Sequence, residues 1–508
     1  MERNLKVKKL EELAEILSSL RAEGKKIVHC HGVFDLLHIG HIRHFEQAKN
    51  LGDILVVTVT QDKYVNKGPH RPAFPENLRA ESIAALDCVD YVAINKWPTS
   101  VETIRVLKPH IYAKGSEYRD ARKDYTGKIT EEEAAVKAVG GKIAFTEDIT
   151  FSSSSLINKY LPVFPKEVSD YLASFSGKYT AESVLNHLEK AKSLKVLVVG
   201  EAIIDEYQYC ESIGKATKEP ALVAKYQSTE KFAGGILAVS NHVANFSDHV
   251  GLLTFLGDSD SQEDFVRQHV NSNVEEIFLY KEGSPTIVKR RFIESYLLSK
   301  LFEVYVINDE ELSRTESKTL CKKLSSILPR YDVVIVVDYG HGMMTKEAID
   351  VLCKHSKFLA VNTQTNAGNR GFNTIYKYSR ADFVSITEGE IRMEFRNLKG
   401  DLKDMIAGLS QKMGGSRVIV TRGKYGSLCY SKDEGFFEIP AFAQQVLDRI
   451  GAGDALLSVT SLCVAVQAPM EVVGFIGNVV GAEAVQIIGN KTPIERVALC
   501  KHIVSLLK

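Results

Sequence analysis

The sequence has no Cys-x-x-Cys pair, although it contains eight cysteines in 508 residues. Zinc sites and compact disulfide frameworks normally use closely spaced cysteines, so the missing pair argues against both kinds of site. We therefore predict that the cysteines are reduced core residues of a cytoplasmic protein.

The sequence also lacks an excess of charge of either sign and a long apolar run. Lys plus Arg and Asp plus Glu each total 64, so no global basic field attracts nucleic acid or an anionic membrane. No apolar stretch approaches the roughly 20 residues of a membrane-spanning helix, and the N-terminus has no apolar signal core. We expect a cytoplasmic protein with small-molecule partners, without nucleic-acid or membrane partners.

The chain is too long for one ordinary hydrophobic core, and no internal repeat divides it. Apolar strands alternate with helical spacing on both sides of Leu161–Pro165, where two prolines interrupt the pattern. Such alternation is typical of parallel sheets covered on both faces, so we predict two doubly wound α/β domains, at 1–165 and 166–508. Candidate strands lie at 26–30, 54–60, 91–95, 111–114, 142–146, 196–199, 251–256, 333–338, 358–362, 383–387 and 418–421.

The most informative stretch of the first half is His31–His41, which joins the strand at 26–30 to helical spacing at 42–50. A glycine turn between strand and helix leaves N–H groups and the positive end of the helix dipole available to an anion. His38 and His41 are three residues apart and would share one face of the first helical turn. This arrangement suits the binding of a triphosphate. The alternative interpretation is that the two histidines are helix caps or solvated surface groups.

Other candidate phosphate-binding groups follow further strands of the first half. Ligands of parallel sheets lie outside the carboxyl ends of the strands, where His31–His41 also falls. The loop at 61–72 is basic and contains glycine, and Phe151–Asn158 holds four serines before a short helix. Hydroxyls and free N–H groups in these stretches can hold phosphate oxygens. Considered alone, the loop at 61–72 could be a solvated turn, and Phe151–Asn158 could be a serine-rich cap or linker.

The string Gly32–His41 resembles the Gly-x-Phe-Asp-x-x-His-x-Gly-His signature of cytidylyltransferase-like nucleotidyltransferases. More broadly, residues 8–161 resemble the nucleotidyltransferase module of the bifunctional heptose 7-phosphate kinase/heptose 1-phosphate adenylyltransferase family. The resemblance implies nucleotidyl transfer from an NTP to a sugar 1-phosphate, with His38, His41 and Lys67 as catalytic residues and Mg²⁺ as cofactor. It implies nucleotide binding by Gly32, Phe34, Asp35, Gly40, Arg79, Lys114, Gly115, Ser153, Ser154 and Ser155. Cytidylyltransferases for glycerol phosphate and choline phosphate share the first motif, so ATP and CTP both stay open.

In the second half the most informative stretch is Asp448–Asp454. Small residues before a helix form a nest of N–H groups for developing negative charge, and the Asp454 carboxylate is placed there to take a proton from a hydroxyl. A tight turn is the alternative interpretation of the Gly-Ala-Gly alone. The string resembles the Asp-Thr-x-Gly-Ala-Gly-Asp signature of ribokinase-like (PfkB) sugar kinases.

This second resemblance implies ATP-dependent phosphorylation of a sugar or sugar phosphate, with Asp454 as the base. Judged alone, Lys289 and Arg291 could equally be a solvated strand edge, and Glu390 a helix-surface acid. The implied roles are an anion nest at Gly451, Ala452 and Gly453, nucleotide binding at Thr421, Gly423, Gly426 and Asn478, substrate binding at Asp205, Gly234, Gly235, Lys289 and Arg291, and Mg²⁺ binding at Glu390.

Several positions depart from the kinase pattern. An asparagine that touches the sugar is Ala238 here, Asp-Pro-Lys becomes Asn362–Gln364, Asn-x-x-Glu becomes Thr387–Glu390, and the threonine after Asp448 is Arg449. The kinase domain also follows the nucleotidyltransferase, the reverse of the heptose enzyme. We predict a homo-oligomeric, bifunctional enzyme of nucleotide-sugar biosynthesis, with heptose favoured. The alternatives are a kinase-like domain that only binds ligands or oligomerises, and a cytidylyltransferase for an alditol or other phosphate.

Overall fold

The computed structural model describes residues 3–65, 68, 71–119, 128–146 and 164–508, and divides the chain into two units. The first unit consists of Met1–Pro165 together with Val497–Lys508, and the second of Lys166–Arg496. Among the described helices, none is long and apolar enough to span a membrane.

Five parallel strands form the sheet of the first unit, in the order β3-β2-β1-β4-β5. The strand order reverses between β1 and β4, which creates the crevice where such sheets bind ligands. The strands are β1 (Ile27–Gly32), β2 (Ile54–Val59), β3 (Tyr91–Ile94), β4 (Ile111–Gly115) and β5 (Lys142–Thr146). The helices are α1 (Arg3–Lys6), α2 (Leu10–Ala22), α3 (Ile39–Lys49), α4 (Glu76–Ala84), α5 (Val101–Leu107) and α6 (Lys128–Ala138).

Alternating side chains of β1 pack on opposite faces of this sheet, as a period of two requires. Val28 and Cys30 belong to a core cluster with Phe45 of α3, whereas Ile27 packs on the other face with Leu13 of α2. Both faces of β1 are therefore covered by helices where it leads into the turn before α3.

The second unit has a nine-stranded sheet in the order β10-β9-β6-β13-β14-β15-β16-β17-β18 and a four-stranded sheet in the order β12-β11-β7-β8. The large sheet is parallel except for the antiparallel pairs formed by its last three strands. Its strands are β6 (Lys195–Gly200), β9 (His249–Gly257), β10 (Val274–Lys281), β13 (Val333–Asp338), β14 (Leu359–Thr363), β15 (Phe383–Thr387), β16 (Arg417–Thr421), β17 (Ser427–Ser431) and β18 (Gly435–Ile439). The small sheet has β7 (Ala202–Lys215), β8 (Leu222–Gly235), β11 (Ile287–Glu294) and β12 (Ser299–Val306).

Helices cover the large sheet and complete the predicted α/β architecture. They are α7 (Lys166–Lys178), α8 (Ala181–Ala191), α9 (Ile236–Ala244), α10 (Glu263–His269), α11 (Arg314–Ile327), α12 (Lys346–His355), α13 (Glu388–Glu394), α14 (Leu402–Lys412), α15 (Ala452–Ala465) and α16 (Met470–Ala484). The last helix, α17 (Arg496–Leu506), lies almost wholly in the first unit. The prediction of two α/β domains with parallel sheets is confirmed, whereas the small sheet is an addition that the sequence patterns did not predict.

Candidate active sites

The turn between β1 and α3 is packed by an aromatic ring. Phe34 has a positive φ of 48°, and its ring meets His41 edge-on, with ring centroids 5.3 Å apart. A Cβ at Gly32 would lie 2.9 Å from Phe34 Cζ, so this position needs glycine for the ring to fold back over the turn. The turn thereby holds the start of α3 in place at the sheet edge.

His38 and His41 come together at the N-terminus of α3. His38 is the N-cap, and its Nδ1 accepts a hydrogen bond of 3.1 Å from the Gly40 N–H. A neutral imidazole that accepts at Nδ1 carries its proton on Nε2, so His38 presents Nε2–H as a donor. The two rings are stacked with centroids 3.9 Å apart, which places both imidazoles beside the positive end of the helix dipole.

Asp35 and Arg79 are buried and tie the turn to its surroundings. Asp35 Oδ1 accepts a hydrogen bond of 3.1 Å from Phe74 N. The Arg79 guanidinium donates to three backbone carbonyls at 2.5–2.8 Å and to a carboxylate at 2.5 Å. These acceptors are the carbonyls of Val33, Thr60 and Phe74 and Oδ1 of Asp62. Most of its donors therefore serve the protein's own backbone.

Lys114 lies near the end of β4, next to Gly115, and forms a buried ion pair. Its Nζ is 2.8 Å from Glu132 Oε2, and Glu132 Oε1 accepts hydrogen bonds from Ser100 at 2.6 Å and Tyr112 at 3.1 Å. Burial lowers the pKa of Lys114, but the negative charge on Glu132 and the phenol of Tyr112 outweigh burial and raise it. Lys114 is therefore a permanent cation at the sheet edge.

A cluster of buried His29, Thr58 and Thr60 with half-buried His31 was not predicted from the sequence. Thr58 Oγ1 lies 2.8 Å from His29 Nε2 and 2.9 Å from His31 Nδ1, and Thr60 Oγ1 lies 3.3 Å from His31 Nε2. Burial lowers the pKa of both histidines to about 3, so both rings are neutral at pH 7. The available sequence signal was a pair of polar residues two positions apart in each of two neighbouring strand regions, His29 and His31 in one and Thr58 and Thr60 in the other. Lys67, Ser153, Ser154 and Ser155 lie outside the described residues.

In the second unit, Asp454 is the third residue of α15 and is buried. The helix is capped by Gly451, which has a φ of 80° and where a Cβ would lie 1.8 Å from Asn490 Oδ1. The Asp454 carboxylate accepts hydrogen bonds from Tyr339 OH at 3.2 Å and from Gln364 Nε2 at 2.6 Å. Burial raises the pKa of Asp454 to about 7.

The predicted substrate-binding residues converge on the small sheet. Asp205 on β7 is in register with Lys289 on β11, and the Arg291 guanidinium donates to Asp205 Oδ1. A Cβ at Gly234 would lie 2.2 Å from Asp205 Oδ2, so the glycine leaves room for the carboxylate. The neighbouring Gly235 has a φ of 54° and precedes α9.

Lys289 and Arg291 differ in their partners. Arg291 pairs with Asp205 and also donates through Nε to Glu303 Oε1 at 3.0 Å. Lys289 is buried, and its ammonium lies 5.2 Å from the Tyr305 ring centroid and 5.7 Å from that of Tyr339. Burial lowers the pKa of Lys289, against the attraction of Asp205. The small sheet thus carries one paired cation and one that touches aromatic rings.

The nucleotide-binding residues predicted for the second unit lie near strands β16 and β17 of the large sheet. Thr421 ends β16, and the following turn contains Gly423 at a φ of 58° and Gly426 at 78°. A Cβ at Gly426 would lie 2.0 Å from the Ile439 carbonyl oxygen. Asn478 of α16 is buried and donates to Ser427 Oγ at 2.6 Å, which links it to the start of β17.

Glu390 caps the start of α13. Its Oε2 accepts a hydrogen bond of 2.8 Å from Thr387 N, and its Oε1 accepts one of 2.9 Å from Thr365 N. Burial raises the pKa of this carboxyl. Among the described residues no cluster of three or more metal-ligating side chains was found.

Tyr339 contacts Asp454 and was not predicted from the sequence. It directly follows β13, and its backbone N–H donates to Glu201 Oε2 at 3.1 Å, while His341 N donates to the other Glu201 oxygen. Burial raises the pKa of Glu201 to about 7. The available sequence signal was that Tyr339 and His341 follow the apolar strand β13, at the sheet edge that also holds Asp454. The structure therefore brings together side chains from β7, β11, the ends of β13 and β14, and α15.

The departures from the kinase pattern fall in different places. Ala238 is buried in α9, Arg449 is exposed, and Asn362 Nδ2 donates to the Ser385 carbonyl at 2.6 Å. Of these positions, Gln364 is the one whose side chain contacts Asp454.

Comparison with known proteins relates both units to families. A family model described as pfkB family carbohydrate kinase matches residues 193–496, and one described as Cytidylyltransferase-like matches residues 29–159. The chain is 39% identical over 168 residues to Bifunctional protein HldE of Geobacter metallireducens, which covers 32% of each chain. It is also 39% identical over 154 residues to the protein of that name from Pelobacter propionicus. That match covers 30% of each chain. The chain thus spans about a third of the length of the curated relatives it matches.

Among solved structures, phosphofructokinase-2 from Escherichia coli is similar at 15% identity and a TM-score of 0.49. That match covers 62% of this chain and all of the other.

Proposed function

The chain belongs to the pfkB family of carbohydrate kinases, whose model matches more than half of it, and on that premise we propose a bifunctional enzyme of nucleotide-sugar biosynthesis. The first unit transfers a nucleoside monophosphate from an NTP to a sugar 1-phosphate and releases pyrophosphate. The second unit phosphorylates a sugar or sugar phosphate with ATP. Heptose is the favoured sugar, by the resemblance of residues 8–161 and of the kinase motifs.

The observation that carries the first activity is the stacked pair of His38 and His41 at the start of α3. A sugar phosphate is already an oxygen nucleophile, so the site needs alignment and charge stabilisation rather than a general base. We assign the two imidazoles to the α-phosphate and the departing pyrophosphate. Lys114 lies at the same sheet edge in its ion pair with Glu132, and we assign Arg79 to holding the turn.

The kinase activity rests on Asp454. Its carboxylate takes the proton of the acceptor hydroxyl, and the N–H groups of Gly451–Gly453 at the start of α15 stabilise the charge that develops on the transferred phosphoryl group. A base with a pKa near 7 is suited to proton transfer at neutral pH. Lys289 has no carboxylate within 4.0 Å among the residues that the structure describes, so we assign it to an anionic group of the acceptor.

Glu390 fits a role in holding Mg²⁺ with ATP, since each of its oxygens accepts one backbone N–H and keeps a lone pair. Magnesium sites in kinases commonly use one or two carboxylates together with the substrate's phosphates. When bound, the ion would neutralise charge on the phosphate oxygens.

Three further properties are part of this proposal. The nucleotidyltransferase precedes the kinase, in the reverse of the order that the resemblance implies for the heptose enzyme. Because both reactions consume nucleoside triphosphates and sugar phosphates, we place the protein in the cytoplasm. We also propose a homo-oligomer, because the small sheet exposes Leu222, Tyr226, Phe302 and Val304, a set of apolar side chains that a second subunit would cover.

One alternative follows from Ala238, Asn362 and Gln364, which replace side chains of the kinase pattern. In that case the second unit binds sugar phosphates without turnover. A CTP-dependent reaction on an alditol phosphate is the alternative for the first unit, because the first motif is shared by both kinds of enzyme.

The proposal is tested by measuring pyrophosphate release with four NTPs and a panel of sugar 1-phosphates, together with ATP-dependent phosphorylation of sugars and sugar phosphates. Asp454→Asn should remove phosphorylation and leave pyrophosphate release intact. Calorimetry with an ATP analogue identifies the alternative, since binding without turnover supports a binding module. Absence of pyrophosphate release with every pair would refute the first activity.

A further inference from the structure

Both oxygens of the Asp454 carboxylate are engaged by neutral donors from the ends of two adjacent strands. Tyr339, directly after β13, donates to Oδ2 at 3.2 Å, and Gln364, directly after β14, donates to Oδ1 at 2.6 Å. All three side chains are at most partly exposed. A carboxylate bonded through both oxygens has a defined orientation, because rotation about its χ2 would break both hydrogen bonds.

The backbone of Tyr339 is itself held on both sides. Its N–H donates to Glu201 Oε2 at 3.1 Å. Its carbonyl accepts hydrogen bonds of 2.8 Å from both Asn366 Nδ2 and Asn369 Nδ2. The tyrosine therefore reaches Asp454 from a fixed main chain.

Gln364 is held by the same loop. Its N–H donates to the Asp338 carbonyl at 2.9 Å, and its own carbonyl accepts from Asn373 Nδ2 at 3.2 Å and from Asn369 Nδ2 at 3.4 Å. Asn369 thus bonds to the main chain of both Tyr339 and Gln364. Gly340 leaves room for this contact, since a Cβ there would lie 2.3 Å from Asn369 Nδ2.

We propose that Tyr339 and Gln364 are positioning residues for phosphoryl transfer, which orient the Asp454 carboxylate and favour its ionised form. The inference rests on the kinase activity proposed above. In that step the acceptor hydroxyl gives its proton to Asp454, its oxygen bonds to the γ-phosphorus, and the bond from that phosphorus to the β–γ bridging oxygen breaks and releases ADP. Each Asp454 oxygen accepts one hydrogen bond from the pair and keeps a lone pair for the incoming proton.

The charged groups that face Asp454 decide the direction of the effect. Burial raises its pKa, the hydrogen bond from Tyr339 lowers it, Asp205 on β7 raises it, and Lys289 on β11 and the hydrogen bond from Gln364 lower it. Arg291 on β11 offsets Asp205 through their ion pair. Because the two donors stabilise the carboxylate, removing either one should raise the pKa of Asp454.

The test is the pH profile of kcat/KM for sugar phosphorylation by the full chain. Tyr339→Phe and Gln364→Leu should each move the acid limb upward by about one pH unit, since each variant removes a hydrogen bond that stabilises the ionised carboxylate. The rate should then fall roughly fivefold at pH 7 and little at pH 9, by the ionised fraction of one group. Gln364→Lys places a cation there and should move the limb downward.

Tyr331→Phe is the matched control, because Tyr331 is a buried tyrosine at the opposite end of β13. It should leave the limb in place. A loss of rate that is equal at all pH values in Tyr339→Phe and Gln364→Leu would mean a merely structural role and would overturn the proposal.

A second measurement does not need turnover. Infrared difference spectra across a pH titration show the carboxylic acid C=O band of Asp454, identified by its loss in Asp454→Asn. Its midpoint should rise in Tyr339→Phe and Gln364→Leu and fall in Gln364→Lys, even if no sugar is phosphorylated. Failure of the kinase activity therefore appears in the rates, whereas unchanged midpoints in all three variants would refute the positioning role.

Discussion

The imidazole rings of His38 and His41 are stacked, with centroids 3.9 Å apart and planes inclined by 24°. The spacing of three residues puts both on one face of the first turn of α3, and the hydrogen bond from Gly40 N to His38 Nδ1 holds the first ring over the helix end. Phe34 supports His41 from the side. The two rings therefore lie together at the N-terminus of α3, where an anion would bind in the proposed reaction.

Replacing either histidine should abolish most nucleotidyl transfer. We expect His38→Ala and His41→Ala to lower the rate of pyrophosphate release by about 100-fold or more, the usual effect of losing one donor to a charged transition state. Circular dichroism should show an intact fold. His110→Ala, at the opposite edge of the sheet, is the control, and near-normal turnover in both site variants would contradict the proposed role.

Arg79 should affect the stability of the first unit more than its catalysis. Arg79→Met leaves the carbonyls of Val33, Thr60 and Phe74 without their donor, and we expect a loss of about 3–5 kcal/mol in the free energy of unfolding, as for other broken buried polar networks. Urea denaturation measures this loss. A stable Arg79→Met variant with a raised KM for NTP would instead indicate direct contact with the nucleotide.

Lys114 and Glu132 should show strong coupling. Lys114→Met leaves a buried carboxylate without its cation and should cost about 3 kcal/mol or more in stability, whereas adding Glu132→Gln should recover much of the loss. Thermal unfolding of the two single variants and the double variant completes the cycle. Additive losses would show that the ion pair contributes little.

Gly234 should matter for the acceptor and not for ATP. An added methyl group would lie 2.2 Å from Asp205 Oδ2 and should displace the carboxylate from Arg291. We expect Gly234→Ala to raise the KM for the sugar about tenfold, equivalent to roughly 1.4 kcal/mol, with little change in the KM for ATP. Gly481→Ala, in a helix with open space around the glycine, is the control. An equal rise in both KM values would place the damage elsewhere.

Most of the strands that were predicted from the sequence are apolar runs buried on both faces. β13 is continuous Val and Ile ending in Asp338, and such runs stand out against the helices around them. β7 and β8 were missed because their outer halves are exposed and mix polar with apolar side chains, so they carry no continuous apolar run. Their partners in the small sheet are set by tertiary contacts, which a local pattern does not contain.

The residues of the two candidate sites also divide into those that local sequence patterns predict and those that they do not. Short sequence motifs predict Asp454 and the His38–His41 pair, because the residues that form a helix start and its anion site are close together in sequence. Tyr339 and Gln364 do not, since each reaches Asp454 from about 90 residues or more away along the chain. Whether Lys67 and Ser153–Ser155 bind the nucleotide stays a prediction.

The first unit is discontinuous, with Val497–Lys508 added to Met1–Pro165. A ribosome makes the chain from the N-terminus at about 5–20 residues per second, so the first unit waits roughly 20–60 s for its last helix while Lys166–Arg496 is synthesised. The second unit, which is synthesised later, can therefore complete its fold before the first unit does. Until Val497–Lys508 has been synthesised, the first unit lacks a segment that belongs to its compact structure.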